Sequence, residues 1–407
     1  MSTVSEARAA EPVRRRPRDR RQTIEAAAAV AFAERGYHRV AMQDVADAVG
    51  ITAAALYRHF DNKYELFREI AMDLVARLTD ATAAVDRGAD RTPATARAEV
   101  GAVLDAVTGE TIAMRSSGNI YRWESRYLRP EDRRALAAEF TALRRRLAEP
   151  AATLRPDLDA ATLDLVALAA LSVIASVTAH RTPMAVGPLQ VLLREAALRV
   201  VADAPGPAPT VRSHGDGDAP VEAAPPSRRR DQLAQAGIAA FARRGYHEAS
   251  IEEIAAAVGI TPSGVYRHFS GKSEILRTAC ERAAATLDAA AEDALGRPDP
   301  REALHSLEAA YVRFAVEDRD LMDVYTADVG ALDAEDQRRL RRLQRAHVDD
   351  WVELLGRVRP GGEPRELRVL VHAGFNVVAD LSVALRRSPA PEAKRWIEVV
   401  LETVLGV

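Results

Sequence analysis

The chain has 407 residues, a formal net charge of −3 and a hydrophobic share of 48%. This length predicts two to four domains of ordinary globular composition. Aromatic residues make up only 5% and alanine is abundant, which favours close-packed helices over sheets. The near-neutral charge argues against a global attraction to nucleic acid. The single cysteine, Cys280, excludes a disulfide framework and a cysteine-based metal site.

The chain begins with a strongly basic segment. Residues 12–21 contain six arginines and one acidic residue, Asp19. We expect residues 1–19 to form a disordered arm that neutralises DNA phosphates, although a solvated tail without a partner explains this cluster equally well. The recurrence of Arg20-Arg21 as Arg229-Arg230 favours the DNA role.

No secretory or membrane segment is expected. The N-terminus is polar and lacks the apolar core of a signal peptide. The longest uncharged apolar stretch, Leu165 to Ala179, is too short to cross a bilayer and predicts a buried helix. We therefore expect a cytoplasmic protein without a membrane partner.

One segment of the chain occurs twice. Residues 32–66 and 241–275 are 209 positions apart without a gap, and 18 of the 35 aligned positions are identical. A period of this length indicates a duplicated domain rather than a solenoid unit. Weaker matches 204 positions apart, such as Tyr121 with Tyr325 and Leu136 with Leu340, extend the duplication further along the chain.

The duplicated segment has the pattern of a helix-turn-helix. Apolar residues from Ile24 to Phe32 predict a helix over 20–35 that ends at Gly36. A second helix over 42–49 is followed by Gly50, which suits the turn. Thr52 can cap a third helix that runs to about Phe60. The third helix is the one that would enter the major groove.

These residues resemble the TetR family of transcriptional regulators. The matching segments are 45–52, 56–60, Lys63 and Glu65 in the first copy, and 254–261, 265–269, Lys272 and Glu274 in the second. The resemblance implies phosphate contacts by Tyr57, His59, Lys63, Tyr266, His268 and Lys272. It implies base-side positions, with Thr52 and Thr261 at the helix starts, at Gln43, Ala53, Ala54, Ala55, Arg58, Glu252, Pro262, Ser263, Gly264 and Arg267. A core tyrosine and a capping or solvated histidine are the alternatives for Tyr57, His59 and their partners.

The two copies differ where bases would be contacted. Ala53-Ala54-Ala55 corresponds to Pro262-Ser263-Gly264. Alanine can touch a thymine methyl group, whereas the Ser263 hydroxyl can form hydrogen bonds with base edges. We therefore expect double-stranded DNA as the partner and an operator with two unequal half-sites.

The sequence predicts an all-α fold of two tandem units. The predicted boundaries are an arm over 1–19, head 1 over 20–67, body 1 over 68–202, a Pro/Gly-rich linker over 203–227, head 2 over 228–276 and body 2 over 277–407. The resemblance implies that helices near 163–177, 189–201, 367–385 and 396–405 pair the bodies as an intrachain pseudo-dimer. Whether two chains associate further is left open.

The resemblance also implies an apolar effector of the acyl-CoA, fatty-acid or sterol-derived type. Candidate ligand-binding residues are Tyr121, Trp123, Glu124, Tyr127, Tyr325, His372, Phe375 and Asn376. Ordinary core aromatics explain any one of them at least as well. The rival hypothesis is a DNA-binding regulator, controlled by abundance or a protein partner, without a small-molecule switch. Repression rather than activation follows only from family habit.

Catalysis is not expected. The sequence contains no phosphate-binding glycine loop, no metal-ligand spacing and no recognisable nucleophile motif. The acidic pairs Glu131-Asp132 and Glu335-Asp336 resemble the first turns of capped helices. The sequence therefore predicts no catalytic residue, no cofactor and no metal.

Overall fold

A computed structural model describes residues 17–86, 92–115, 127–209 and 228–407. Within these ranges every extended regular element is a helix, as the composition predicts. The first half contains α1 Pro17–Arg35, α2 Met42–Ala48, α3 Ala53–Leu56, α4 Lys63–Ala83, α5 Pro93–Ala113, α6 Pro130–Leu154, α7 Ala160–Ala175 and α8 Val186–Asp203. The second contains α9 Arg229–Arg244, α10 Ile251–Ala257, α11 Pro262–Val265, α12 Lys272–Leu295, α13 Pro300–Glu317, α14 Arg319–Ala327, α15 Ala334–Val358, α16 Pro364–Ala384 and α17 Ala390–Leu405.

The helix starts preserve the repeat. α12 begins 209 residues after α4, and α15, α16 and α17 each begin 204 residues after α6, α7 and α8. The change in offset therefore falls before α6, in the segment where the sequence comparison places it. Body 2 lacks the five residues because the connection before α13 and the start of α15 is shorter.

Contacts divide the chain into two compact units, with the boundary after Ile70 inside α4. The first unit contains head 1. The second contains both bodies and head 2, because α9 and α12 pack against α14 while the bodies pack against each other. The predicted heads and bodies are therefore repeats of sequence, and they are not four separately packed units.

The two bodies pair through their last long helices. α7 packs against α16, and α8 packs against α17. The Asn376 amide donates a hydrogen bond to the Ser172 carbonyl at 2.8 Å. The Arg199 guanidinium donates to the Thr403 and Val404 carbonyls at 3.4 and 3.2 Å. These contacts form the intrachain pseudo-dimer, and the all-α fold of two tandem units is confirmed.

Two helices are long and apolar enough by composition to cross a bilayer, Ala160–Thr178 and Pro364–Ala384. They pack against each other at the interface between the bodies. Their most apolar stretches are 67% and 61% buried inside the protein. Tertiary packing therefore accounts for their apolar character, in agreement with the buried helix predicted around Leu165.

Three boundaries differ from the predicted ones. α1 begins at Pro17 rather than at residue 20, since proline suits the first turn of a helix. The predicted linker is packed at its start: Ala204 is buried, the Ala208 amide donates to Thr162 Oγ1 at 2.9 Å, and the Trp396 indole donates to the Gly206 carbonyl at 3.2 Å. Residues 1–16 of the predicted arm and residues 210–227 of the linker lie outside the described ranges.

Candidate nucleic-acid interface and apolar cavity

Each head presents a short third helix that the preceding turn positions. Gly36 and Gly245 have φ of 80° and 79° and end the first helices, and Gly50 and Gly259 have φ of 65° and 69° at the turn. A side chain is rarely tolerated at such φ values, which explains why glycine occupies these positions in both copies. The third helices, α3 and α11, extend only over Ala53–Leu56 and Pro262–Val265, and hydrogen-bonded turns continue them to Phe60 and Phe269.

One side of each third helix anchors it in the head. Leu56 and Phe60 in head 1, and Val265 and Phe269 in head 2, are at most 2% exposed. The opposite side carries the residues expected to face DNA. Those classed as exposed are Gln43, Thr52, Ala54, Tyr57, Arg58, Glu252, Thr261, Pro262, Ser263, Tyr266 and Arg267, and those classed as partly buried are Ala53, Ala55, His59, Lys63, Gly264, His268 and Lys272.

Tyr57 and Tyr266 are not core residues. Their exposed fractions are 50% and 58%, and they are the two exposed large aromatic side chains of the described ranges. Exposing a large aromatic surface is unfavourable without a partner. The structure therefore contradicts the core-tyrosine alternative and leaves both hydroxyl groups available to a phosphate.

Lys63 and Lys272 brace the heads from within. The Lys63 ammonium donates to the Tyr37 carbonyl at 3.0 Å and lies 4.4 Å from the centre of the Tyr37 ring. The Lys272 ammonium donates to the His247 and Ala249 carbonyls at 3.1 and 2.9 Å. Burial lowers the pKa of both lysines. An ammonium has three donors, so a DNA contact would use the donors that these internal bonds leave.

Sequence reasoning missed the role of Arg21 and Arg230. Arg21 donates to the His59 carbonyl at 2.7 Å, pairs with Glu69 and lies 4.3 Å from the centre of the Phe60 ring. Arg230 repeats the arrangement with the His268 carbonyl, Glu274 at 2.9 Å and the Phe269 ring at 4.1 Å. Each arginine fixes the end of the third helix. The recurrence of this arginine therefore has a structural cause.

The start of the third helix differs between the heads. In head 1 the Thr52 hydroxyl accepts a hydrogen bond from the Ala55 amide at 3.2 Å, which is the predicted cap. In head 2 no side-chain cap forms. Thr261 Oγ1 instead lies 3.0 Å from Ser263 Oγ, and Pro262 occupies the first turn. The unequal triplets therefore present different hydrogen-bonding groups to the exposed side.

Body 1 contains an apolar cavity of about 180 Å³. Its wall consists mainly of apolar side chains from α4 to α7, with a few polar groups and one residue of body 2. The lining residues are Leu74, Leu78, Val107, Thr111, Met114, Phe140, Leu143, Arg144, Leu168, Leu171, Ser172, Ala175, Thr178 and Asp380. Asp380 reaches the cavity from α16, where the Ser172 hydroxyl donates to its carboxylate at 2.5 Å.

The equivalent volume of body 2 is filled by aromatic rings. At the 204-residue offset, Leu143 and Leu171 of the cavity correspond to His347 and Phe375, and Leu147 beside them corresponds to Trp351. Phe375 stacks on Tyr311 at 4.4 Å and meets Trp351 edge-on at 5.1 Å. The Trp351 indole donates to His347 Nε2 at 3.1 Å. Larger side chains at matched positions thus replace the cavity with a packed core.

None of the described ligand-binding candidates lies on the cavity wall. Phe375 belongs to the aromatic cluster, Tyr325 is buried, and Asn376 bonds to Ser172 at the interface between the bodies. His372 stacks on His180 of body 1 at 4.4 Å. Tyr127 is partly buried at the edge of a described range, and Tyr121, Trp123 and Glu124 lie outside the described residues.

Comparison with known proteins matches both heads. The profile of the family described as bacterial regulatory proteins, tetR family, matches residues 24–70 and 233–279. The transcriptional activator FasR of Mycolicibacterium smegmatis is 44% identical over 54 residues, which cover 13% of this chain and 25% of the relative. The transcriptional repressor KstR2 of Rhodococcus jostii is 49% identical over 43 residues, which cover 11% and 21%. The matched segments thus span about a quarter of these relatives.

A solved TetR-family transcriptional regulator from Bordetella parapertussis matches with a TM-score of 0.40 at 24% identity. The match covers 45% of this chain and 98% of that one. Both matched segments of the family profile coincide with the helix-turn-helix heads described above. The chain is therefore a member of the TetR family that carries two of the family's DNA-binding domains in tandem.

Proposed function

We propose that this protein is a DNA-binding transcriptional regulator that uses both heads on one operator. The observation that carries the proposal is the pair of exposed tyrosines, Tyr57 and Tyr266, on third helices that are braced in the same way. Phosphate contacts by Tyr57, His59, Lys63 and their partners in head 2 would fix the register of each helix. A location in the cytoplasm, where the DNA is, follows from this proposal.

The operator is proposed to be asymmetric. Ala53, Ala54 and Ala55 offer methyl groups, whereas Pro262, Ser263 and Gly264 offer one hydroxyl and no other side-chain donor. Gln43 and Glu252 differ in the same sense on the preceding helices. Because a methyl group and a hydroxyl favour different base edges, the two half-sites would differ in sequence.

The test is footprinting of the full-length chain on DNA that flanks its own gene, followed by binding assays with each half-site scrambled separately. We expect unequal losses of affinity from the two scrambled sites. Equal losses would contradict the asymmetry, and no protected site would contradict the regulator. Exchange of the triplets, with Ala53-Ala54-Ala55 placed in head 2 and Pro262-Ser263-Gly264 placed in head 1, should invert the preference.

A small apolar effector is proposed to bind in body 1. The cavity of about 180 Å³ is slightly larger than the cavities of about 150 Å³ that hold benzene. A whole acyl-CoA or a sterol exceeds this volume, so a monocyclic compound or a short acyl chain fits best. Polar groups at Ser172, Thr111 and Asp380 would orient it. The filled core of body 2 supports one effector per chain.

The rival without a small-molecule switch makes a different prediction. Calorimetric titration with short fatty acids and monocyclic apolar compounds should give one equivalent bound per chain and weaker operator binding. If no compound binds, control by abundance or a protein partner is favoured. We propose repression, as the named KstR2 relative suggests, although FasR is named an activator. Removal of the gene should therefore raise transcription from the operator, and a fall would contradict repression.

A further inference from the structure

Three ligand-type side chains meet on body 2, where α13 packs against α17. His305 and Glu308 lie one helical turn apart on α13, and Glu402 lies near the end of α17. One candidate ligand atom of each residue lies within 4.8 Å of the others. His305 Nδ1 is 3.0 Å from Glu402 Oε1 and 3.9 Å from Glu308 Oε2. None of the three belongs to the proposed DNA surface or lines the cavity.

Glu308 is the unusual member of this group. It is only 2% exposed, and its buried Oε1 has no hydrogen-bond partner among the described residues. Burial, reinforced by the carboxylates of Glu402 and Glu398, raises the pKa of Glu308 to about 8. A buried carboxylate is costly unless a charge or a metal compensates it. The protein places such a group beside a second carboxylate and an imidazole.

We propose that His305, Glu308 and Glu402 bind a first-row divalent transition metal ion such as Zn²⁺. An imidazole nitrogen with two carboxylate oxygens is a ligand set that suits zinc, whereas magnesium and calcium prefer oxygen alone. Ligand bonds of about 2.1 Å in a tetrahedron separate the ligand atoms by about 3.4 Å. The distances of 3.0 and 3.9 Å lie on either side of this value.

The site is open on one side. His305 is 64% exposed at its side chain and Glu402 is 33% exposed. An ion can therefore enter from solvent, and water can complete its coordination. A protonated His305 could neutralise the carboxylates instead, but that arrangement leaves Glu308 Oε1 without a partner.

The site adjoins the interface between the bodies. Thr403 and Val404, the residues after Glu402, are those whose carbonyls accept hydrogen bonds from Arg199 of body 1. An ion that joins α13 to this end of α17 would therefore stabilise a helix of the pseudo-dimer. Binding to the native state alone raises the thermal midpoint.

The test is calorimetric titration of ZnCl₂ into the untagged, chelator-treated full-length chain, without DNA or effector. We expect one saturable site per chain and a higher thermal midpoint with zinc. His305→Ala and Glu402→Gln should each weaken zinc binding by at least about tenfold, since loss of even an outer-shell partner costs 10–100-fold. Glu308→Gln, which keeps the volume of the buried side chain, should weaken it as well.

The matched control is His247→Ala, which removes an exposed histidine from head 2 and should leave zinc binding unchanged. No saturable uptake by the wild-type chain would overturn the proposal and would leave protonated His305 as the neutralising cation. Equal affinity in His305→Ala and the wild type would overturn it too. Because the titration contains no operator, failure of the metal site is distinguishable from failure of the proposed DNA function.

Discussion

At the scale of single residues, the same residue type has different roles because its surroundings differ. Tyr57 and Tyr266 stand in solvent beside buried anchors, whereas Tyr311 and Tyr325 are at most 6% exposed in body 2. The histidines divide in the same way. His59 and His268 lie on the third helices, while His180, His347 and His372 are packed in the bodies.

Removal of one tyrosine hydroxyl should weaken operator binding without unfolding a head. A hydrogen bond to a charged group contributes about 1.5–3 kcal/mol, so Tyr57→Phe is expected to lower affinity by about tenfold or more. Tyr266→Phe should act likewise on the other half-site. Equilibrium binding at fixed salt is the measurement, and Tyr325→Phe in body 2 is the control. Unchanged affinity in both head variants would show that the exposed tyrosines do not contact DNA.

The stability of the folded chain should fall as the pH falls below about 6.5. Burial, helped by His372, Arg115 and Arg181, lowers the pKa of His180 from 6.5 to about 2. The unfolded chain therefore binds a proton that the folded chain excludes, and stability present above pH 6.5 is lost as the pH decreases toward 2. Between pH 7 and pH 5 we expect this imidazole to account for about 2 kcal/mol.

Urea unfolding of the wild type and of His180→Asn at both pH values isolates this contribution. The asparagine oxygen can replace Nδ1, which accepts the Thr182 amide at 3.2 Å. The variant should lose less stability than the wild type on acidification. Burial also lowers the pKa of His347 and His372 to about 4, so some pH dependence should persist. An identical loss in both proteins would contradict the assignment to His180.

At the scale of elements, α7 and α16 hold the bodies together through polar bonds set in an apolar surface. Ser172 accepts from Asn376 through its carbonyl and donates to Asp380 through its hydroxyl. Both bonds cross between bodies that the chain connects about 200 residues apart. Buried polar groups that are bonded in this way specify one register of the helix pair.

Asn376→Leu should destabilise the chain by about 1–2 kcal/mol, because it removes a buried hydrogen bond and leaves an acceptor with one partner fewer. Val383→Ala on the same helix is the control. Val383 is 46% exposed, and exposed substitutions usually change stability by less than about 0.5 kcal/mol. The shift of the urea midpoint measures both effects. Equal shifts would mean that the bond across the interface contributes nothing specific.

At the scale of the whole molecule, the duplication has produced two bodies with different interiors. Leu143, Leu147 and Leu171 leave space in body 1, and His347, Trp351 and Phe375 fill the matching space in body 2. Only a few side chains separate the two states, because the helices begin at matched positions. The chain is thus an unequal pair in its interiors as well as in its heads.

Leu171→Phe copies Phe375 into body 1 and should abolish effector binding while operator binding is retained. The added ring occupies the cavity, so the cost in stability should be small. The reciprocal change, Phe375→Leu, removes a packed ring from body 2 and should destabilise the chain by about 1–2 kcal/mol. Calorimetry with an effector and urea unfolding measure the two outcomes. Effector binding that survives Leu171→Phe would place the effector elsewhere.

Local patterns in the sequence were sufficient for the heads. Glycines at turns, apolar spacing and the cap at Thr52 depend on neighbours within a few residues, so the helix-turn-helix was predictable almost residue by residue. The bracing by Arg21 was missed because its partners, Glu69 and the His59 carbonyl, lie 48 and 38 residues away.

The cavity and the cation site depended on tertiary structure alone. Sequence reasoning chose Phe375 and Asn376 because aromatic and amide side chains often bind ligands, yet their counterparts Leu171 and Ser172 line the cavity. Whether space exists depends on the summed volumes of side chains from several helices. His305 and Glu402 likewise are 97 residues apart. The sequence by itself determined the duplication, the heads and the helical fold, and packing between distant helices decided where the molecule is hollow, where it is filled and where charges meet.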